Sequence, residues 1–139
     1  MANAMVRNVL SVIAGVVVAM AFIFLVEGIM GVIYPPIPGT DLSNRETVRH
    51  LLDNVPRMVF LWLLIGYGVG SFAGGLVATL ASFRQSILPA LIVGAIVTIG
   101  GVMDLIDICH PLWFSITSLA LYIPFALLGY LLLRKTKAA

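Results

Sequence analysis

Long runs of apolar positions dominate the chain, and short polar or proline-containing segments separate them. Four such runs cover about residues 8–34, 57–82, 86–108 and 112–133. A helix needs about 20 apolar residues to cross a bilayer. The runs therefore predict four transmembrane helices. The links "SFRQS" and "CHP" are so short that the last three helices must run antiparallel to their neighbours. The predicted fold is an all-α, integral membrane four-helix bundle.

The polar segment between the first two runs, "DLSNRETVRHLLDNVP", has a helical pattern of its own. Ser43 is followed three residues later by Glu46, which is the pattern of a capping box at a helix N-terminus. Apolar residues then recur at helical spacing, at Val48, Leu51, Leu52 and Val55. This pattern predicts a short amphipathic helix over about residues 43–55, lying on the outer surface of the bundle.

Composition supports a membrane protein. The chain is 61% hydrophobic and 10% charged, whereas soluble domains carry about 25% charged residues. Its 139 residues suit a single transmembrane domain over residues 1–139, with the lipid bilayer as its first partner. The basic residues are scattered or C-terminal, so we expect no nucleic-acid partner. A single cysteine, Cys109, excludes an intramolecular disulfide.

The charges at the ends of the four spans are distributed unevenly. One side carries five basic residues, at Arg7, Arg84, Arg134, Lys135 and Lys137, and the other carries three, at Arg45, Arg49 and Arg57. Because cytoplasmic loops are enriched in Lys and Arg, both termini are predicted to be cytoplasmic. All six acidic residues fall toward the opposite, outer side.

Small residues recur at helical spacing in the second and third predicted spans. The second span has a ridge formed by Gly66, Gly70, Gly74 and Ala78, and the third has Gly94 and Gly101. Such ridges let membrane helices approach closely. They predict either tight packing inside the bundle or an interface with another copy or subunit. Aromatic residues at the predicted outer interface are typical membrane anchors, namely Tyr34, Trp62 and Trp113.

Four titratable residues near the outer side are the candidate polar site: Glu27, Asp104, Asp107 and His110. Glu27 lies twenty residues after Arg7, and twenty helical residues span about 30 Å, the thickness of the hydrocarbon core. Asp104 is at nearly the same depth. Three interpretations remain open: a structural polar network, a proton or ion pathway, and a metal site of unspecified metal. We favour the first, with Glu27 as a surface anchor.

The short motifs of the chain resemble those of a group of small four-helix bacterial inner-membrane proteins that have no established activity. The motifs are "YPPIPGTD" after Glu27, "GYGVGSFAGG" in the second span and "HPLWF" at the start of the fourth. The resemblance covers about the whole chain and implies a bacterial inner-membrane location. It directs interest to six residues: Glu27, Tyr34, Pro35, His110, Pro111 and Trp113.

The favoured function is that of a small membrane subunit or accessory protein, which packs through its glycine ridges in a homo-oligomer or a larger complex. The alternative is an oligomer that transports protons, cations or small solutes, with Glu27 and Asp104 as titrating groups. An enzyme at the outer leaflet is the least favoured interpretation. No phosphate-binding glycine loop or recognisable catalytic set is present in the sequence, so we expect no enzyme and no cofactor.

Overall fold

The structure is a computed structural model and describes residues 1–138. Its helices are α1 (Ala2–Ile33), α2 (Arg45–Asp53), α3 (Arg57–Ala81), α4 (Ile87–Asp107) and α5 (Leu112–Ala138), and a 3-10 turn covers Phe83–Gln85. The four long helices are apolar and long enough to cross a membrane. They pack as a bundle, and α2 is the short helix between the first two. The predicted all-α architecture is confirmed.

The two ends of the bundle differ in charge. The end that carries α2 and the α4–α5 connection holds the acidic residues, and is called the acidic end. The end that carries the start of α1, the 3-10 turn and the end of α5 is called the basic end. Arg84 and Gln85 in the 3-10 turn have positive φ, of 59° and 49°, a left-handed conformation that few non-glycine residues adopt.

Helix α3 is the centre of the bundle. Thirteen of its 25 residues are buried, while α1 has four buried residues and α4 and α5 have five each. Small side chains make this position possible, because they let three neighbouring helices approach one backbone.

The ridge predicted on α3 packs against α1 of the same chain. A Cβ added at Gly74 would lie 2.6 Å from the carbonyl oxygen of Gly15, and one at Gly70 would lie 3.0 Å from that of Ala19. A Cβ added at Gly66 would clash with the side chain of Val26. Four-residue spacing keeps these glycines on one face of α3. The ridge is therefore occupied within the bundle.

A second glycine contact joins α3 to α5. A Cβ at Gly75 would overlap the backbone carbonyl of Ala126, and one at Gly129 would lie 2.5 Å from the Phe72 carbonyl oxygen. Helix α4 joins the bundle by similar contacts, since Gly94 packs on Ile123 and Gly101 on Tyr122. Side chains larger than hydrogen would separate these helices.

The predicted capping box at Ser43 is wrong. Asn44 is the N-cap of α2, and its side-chain oxygen accepts hydrogen bonds from the backbone N–H groups of Glu46 (3.0 Å) and Thr47 (3.5 Å). The Ser43 hydroxyl donates instead to a carboxylate oxygen of Asp41 at 2.5 Å, and this bond lowers the pKa of Asp41. The turn formed by Asp41 and Ser43 moves the start of the helix to Arg45.

Two helices extend beyond the apolar runs that predicted them. Helix α1 begins at Ala2 instead of residue 8, and α5 continues to Ala138 instead of ending at residue 133. The added turns carry Arg7, Arg134 and Lys137. A helix does not end where the hydrocarbon ends, because long basic side chains extend into the headgroup layer while the backbone stays helical.

Candidate functional site

Glu27 and Asp104 come from two different helices and meet at one cavity. Glu27 lies near the end of α1, Asp104 lies near the end of α4, and both side chains are half-buried. They line a cavity of about 390 Å³ near the acidic end, between α1, α3 and the end of α4. The structure thus differs from the expected anchor role of Glu27, because its carboxylate faces the bundle and not a separate surface.

Tyr67 of α3 holds the Glu27 carboxylate. Its hydroxyl donates a hydrogen bond of 2.7 Å to Oε1 of Glu27. The Tyr67 ring is buried, with 3% exposed, and packs against Phe114 and Tyr122 with ring centroids 6.0 and 5.9 Å away. These contacts fix the position of the hydroxyl. Tyr67 therefore orients Glu27 from inside the bundle.

A second cavity begins at the same polar residues and extends deeper into the bundle. It has a volume of about 260 Å³ and shares Glu27, Tyr67 and Asp104 with the first. Its other walls come from α1, α4 and α5, including Ile23, Val97, Gly101 and Tyr122. The two carboxylates and the phenol thus lie where the outer and the deeper cavity meet.

His110 lines the outer cavity, at the connection between α4 and α5. Its ring stacks on Phe114, with centroids 5.0 Å apart, and its Nδ1 lies 3.1 Å from the Ile108 carbonyl oxygen. Burial lowers the pKa of His110 from its usual 6.5, and the negative charge of Asp104 opposes this shift. The imidazole is neutral at neutral pH and is a hydrogen-bonding wall of the cavity.

The fourth candidate, Asp107, is exposed and lines neither cavity. The structure therefore brings Glu27, Asp104 and His110 together and leaves Asp107 outside. Among residues 1–138, no three carboxylate, imidazole or thiol groups are placed to hold a metal ion. This arrangement does not support the interpretation of the four residues as a metal site.

The predicted aromatic anchors lie at the acidic end as well. Tyr34, Trp62 and Trp113 are all exposed, with 46%, 54% and 40% of their surfaces accessible. Tyr34 also lines the outer cavity. Trp113 packs edge-on against Phe60, with ring centroids 5.9 Å apart. These positions suit side chains at the boundary between lipid and water.

Sequence analysis missed Tyr67, although the chain contains a signal for it. The "GYGVG" segment places one phenol in the middle of an otherwise apolar helix. A buried tyrosine hydroxyl usually finds a hydrogen-bond partner, and acidic residues in neighbouring helices were the available acceptors. Which acid it would reach depends on how α1 and α3 are rotated, and the sequence does not specify that rotation.

Comparison of the chain with protein-family models, curated proteins and solved structures finds no match. The four-helix membrane fold is confirmed, and the family resemblance stays a prediction.

Proposed function

We propose that the chain is a small transport protein that accepts protons or small cations at the acidic end, with Glu27 and Asp104 as the receiving groups. The observation that supports this most strongly is the position of both carboxylates at the junction of two cavities. A carboxylate that only anchored a helix end would face the lipid–water boundary and would not line an internal space. Intramembrane acids with access to a cavity are typical of proton and ion pathways.

The charges around the junction favour a positive species. No lysine or arginine lines either cavity among residues 1–138, and His110 is the only basic side chain there. Tyr67 donates to one oxygen of Glu27 and leaves the other available. Two carboxylates that lack a cationic partner in a half-buried site bind protons or cations to reduce their repulsion. The proposed role is binding and passage, without a catalysed reaction.

The described structure supports entry from the acidic end. The outer cavity is lined by Tyr34 and Pro36 of the α1–α2 connection and by His110 of the α4–α5 connection. The deeper cavity ends among apolar walls that include Met20 and Val97. Beyond them, Gly15, Gly74 and Ala78 pack in close contact. A species that moves on to the basic end requires the helices to separate there.

The transport proposal is tested by flux measurements on purified protein in liposomes loaded with a pH-sensitive dye. Under an imposed potential, wild-type protein is expected to carry protons or a test cation, and Glu27→Gln and Asp104→Asn are each expected to abolish that flux. Asp107→Asn is the matched control, because this exposed carboxylate lines neither cavity. Unchanged flux in both cavity variants would refute the proposal, provided that they elute and melt like wild type.

We further propose a bacterial inner-membrane location with both termini cytoplasmic. The excess of basic residues at the basic end supports this orientation. The single cysteine offers a direct test, because Cys109 lies half-buried at the acidic end. A membrane-impermeant maleimide added to intact spheroplasts should label it. Labelling only after the membrane is opened would reverse the orientation.

A second candidate function is that of a subunit in a homo-oligomer or a larger membrane complex. The α3 ridge is occupied within the chain, so a partner would have to use another face. The exposed face of α1 offers one, since no atoms lie within 4 Å of a Cβ placed at Gly28, and Leu25 and Ile29 beside it are exposed. Native mass spectrometry would show assembly in wild type and its loss in Gly28→Phe.

A further inference from the structure

A third polar cavity, of about 470 Å³, lies at the basic end. It is enclosed by the last turns of α3, the 3-10 turn and the last turns of α5. Three of its lining side chains are cationic: Arg84, Arg134 and Lys137. None of the transport chemistry proposed above involves these residues, so this cavity requires an explanation of its own.

Among the described residues, the three cations have no acidic partner in the cavity. Its remaining lining residues are neutral, and the six acidic residues of the chain lie toward the acidic end. Ile87 and Asp104, near opposite ends of α4, are seventeen residues apart, which corresponds to about 25 Å of helix. At that distance ions screen exposed charges from one another. Within residues 1–138, the cavity therefore concentrates positive charge that no carboxylate side chain neutralises.

The neutral residues add hydrogen-bonding groups around the same space. The Tyr130 hydroxyl accepts a hydrogen bond from Nη1 of Arg134 at 3.3 Å, which positions that guanidinium beside the cavity. Ser86 precedes α4 and makes no side-chain cap to it, so its hydroxyl is available to a ligand. The left-handed turn at Arg84 and Gln85 brings both side chains to the cavity from one short segment.

We propose that this cavity binds the phosphate group of an anionic phospholipid. Guanidinium and ammonium groups beside a hydroxyl are the donors that phosphate oxygens accept from. The position favours a lipid over a soluble anion, because the cavity lies at the ends of membrane-spanning helices and has Leu133 in its wall. Basic pockets between transmembrane helices at the cytoplasmic surface bind anionic headgroups in this manner.

The test is native mass spectrometry of the purified full chain in mild detergent, with added dioleoylphosphatidylglycerol. We expect wild type to retain one lipid in preference to dioleoylphosphatidylcholine, which carries no net charge. We expect Arg84→Gln and Arg134→Gln each to weaken retention about fivefold, as the loss of one basic residue near an anionic lipid predicts. Lys135→Gln is the matched control, because Lys135 follows Arg134 but does not line the cavity.

Each alternative outcome overturns part of the proposal. Equal losses in Lys135→Gln and Arg134→Gln would show unspecific attraction to the basic end, and no preference for the anionic lipid would exclude the site. A parallel arm adds inorganic phosphate to lipid-free protein. If phosphate raises the melting temperature of wild type but not of Arg134→Gln, and the lipid does not, the ligand is free phosphate and the lipid assignment is wrong.

The lipid test is independent of the transport proposal. Arg84 and Arg134 are exposed, so their replacement by glutamine is compatible with folding, and neither residue lines the cavities at the acidic end. A melting temperature within the range of wild type confirms folding of each variant. If the Arg84 or Arg134 variant loses the lipid and keeps its proton flux, the lipid site alone is supported. If Glu27→Gln loses flux and keeps lipid binding, the transport site alone is supported.

Discussion

The cavities at the two ends of the bundle have opposite charge and are built differently. At the acidic end, half-buried carboxylates are oriented by a donor from inside the bundle, as Tyr67 orients Glu27. At the basic end, exposed cations line a space without an acidic side chain. The Glu27 carboxylate is thus held in one orientation, whereas the exposed cationic side chains of the basic end can change rotamer.

The same two helices contribute to both ends. Helix α3 supplies Tyr67 to one and Thr79 to the other, and α5 supplies Tyr122 and Tyr130 in the same way. Between these positions the two helices are in close backbone contact, where Gly75 faces Ala126. This contact fixes the distance between α3 and α5, and both helices line the deeper cavity at the acidic end and the cavity at the basic end.

The largest effect on both ends is expected from Gly75→Ala. Its methyl group would occupy the space of the Ala126 carbonyl, so α3 and α5 would have to separate. Overpacking of this kind costs about 3 kcal/mol in a tightly packed interior. Unfolding of the purified protein by a denaturing detergent should show this loss of stability, together with weaker lipid binding and lower flux.

Gly28→Ala is the matched control for the same chemical change in a membrane helix. No atoms lie within 4 Å of a Cβ at Gly28, so the methyl group has open space. We expect its unfolding free energy to stay within about 0.5 kcal/mol of wild type. If Gly75→Ala were equally stable, the contact between Gly75 and Ala126 would not fix the separation of α3 and α5.

The sequence predicts the fold well because each span is signalled locally. A long apolar run specifies a membrane helix by itself, and "YPPIPG" ends the first helix because proline lacks a donor. The N-cap of α2 is Asn44 instead of the predicted Ser43, because the Ser43 hydroxyl donates to Asp41 and the Asn44 side chain accepts from the N–H of Glu46. That competition depends on side-chain geometry and is not visible in the spacing of residues.

The candidate sites were harder to predict because they depend on helix rotation. Residue depth placed Glu27 and Asp104 at one level, but whether they faced one space depended on how α1 and α4 turn around α3. The sequence does not indicate that Arg84 and Arg134 meet, since they are fifty residues apart. The α4–α5 hairpin brings them to one cavity. Contacts between residues so far apart in sequence can be seen only in the packed structure.

Removing one phenol hydroxyl at each end of the bundle should change proton flux and lipid retention separately. Tyr67→Phe deletes the donor to Glu27 and is expected to cost about 1–2 kcal/mol of stability and to change proton flux, with lipid binding unaltered. Tyr130→Phe deletes the acceptor for Arg134, and should weaken lipid retention without a change in flux. Liposome flux measurements and native mass spectrometry with added lipid, made on both variants, check these two expectations. Variants that altered both readings alike would show that the ends are coupled.

The smallest expected effect is a pH dependence confined to the acidic end, and it arises from His110. Burial places the pKa of His110 below 6.5 in the folded protein, while the unfolded chain has the usual value. The unfolded state therefore takes up the proton first as pH falls. Stability from this group is complete above about pH 6.5 and decreases below it.

The comparison that isolates His110 is wild type against His110→Phe, which keeps an aromatic ring on Phe114. Melting temperatures measured from about pH 7.5 to about pH 5 should fall more steeply in wild type, because the two proteins differ only in the His110 imidazole. Lipid retention should not follow this difference, since the described residues that line the basic-end cavity include no histidine and no carboxylate. A parallel fall in both proteins would mean that the His110 imidazole is as accessible to protons in the bundle as in the unfolded chain. The outer cavity would then be a solvent-filled opening, and the Tyr67–Glu27 hydrogen bond would be the ordered part of the acidic end.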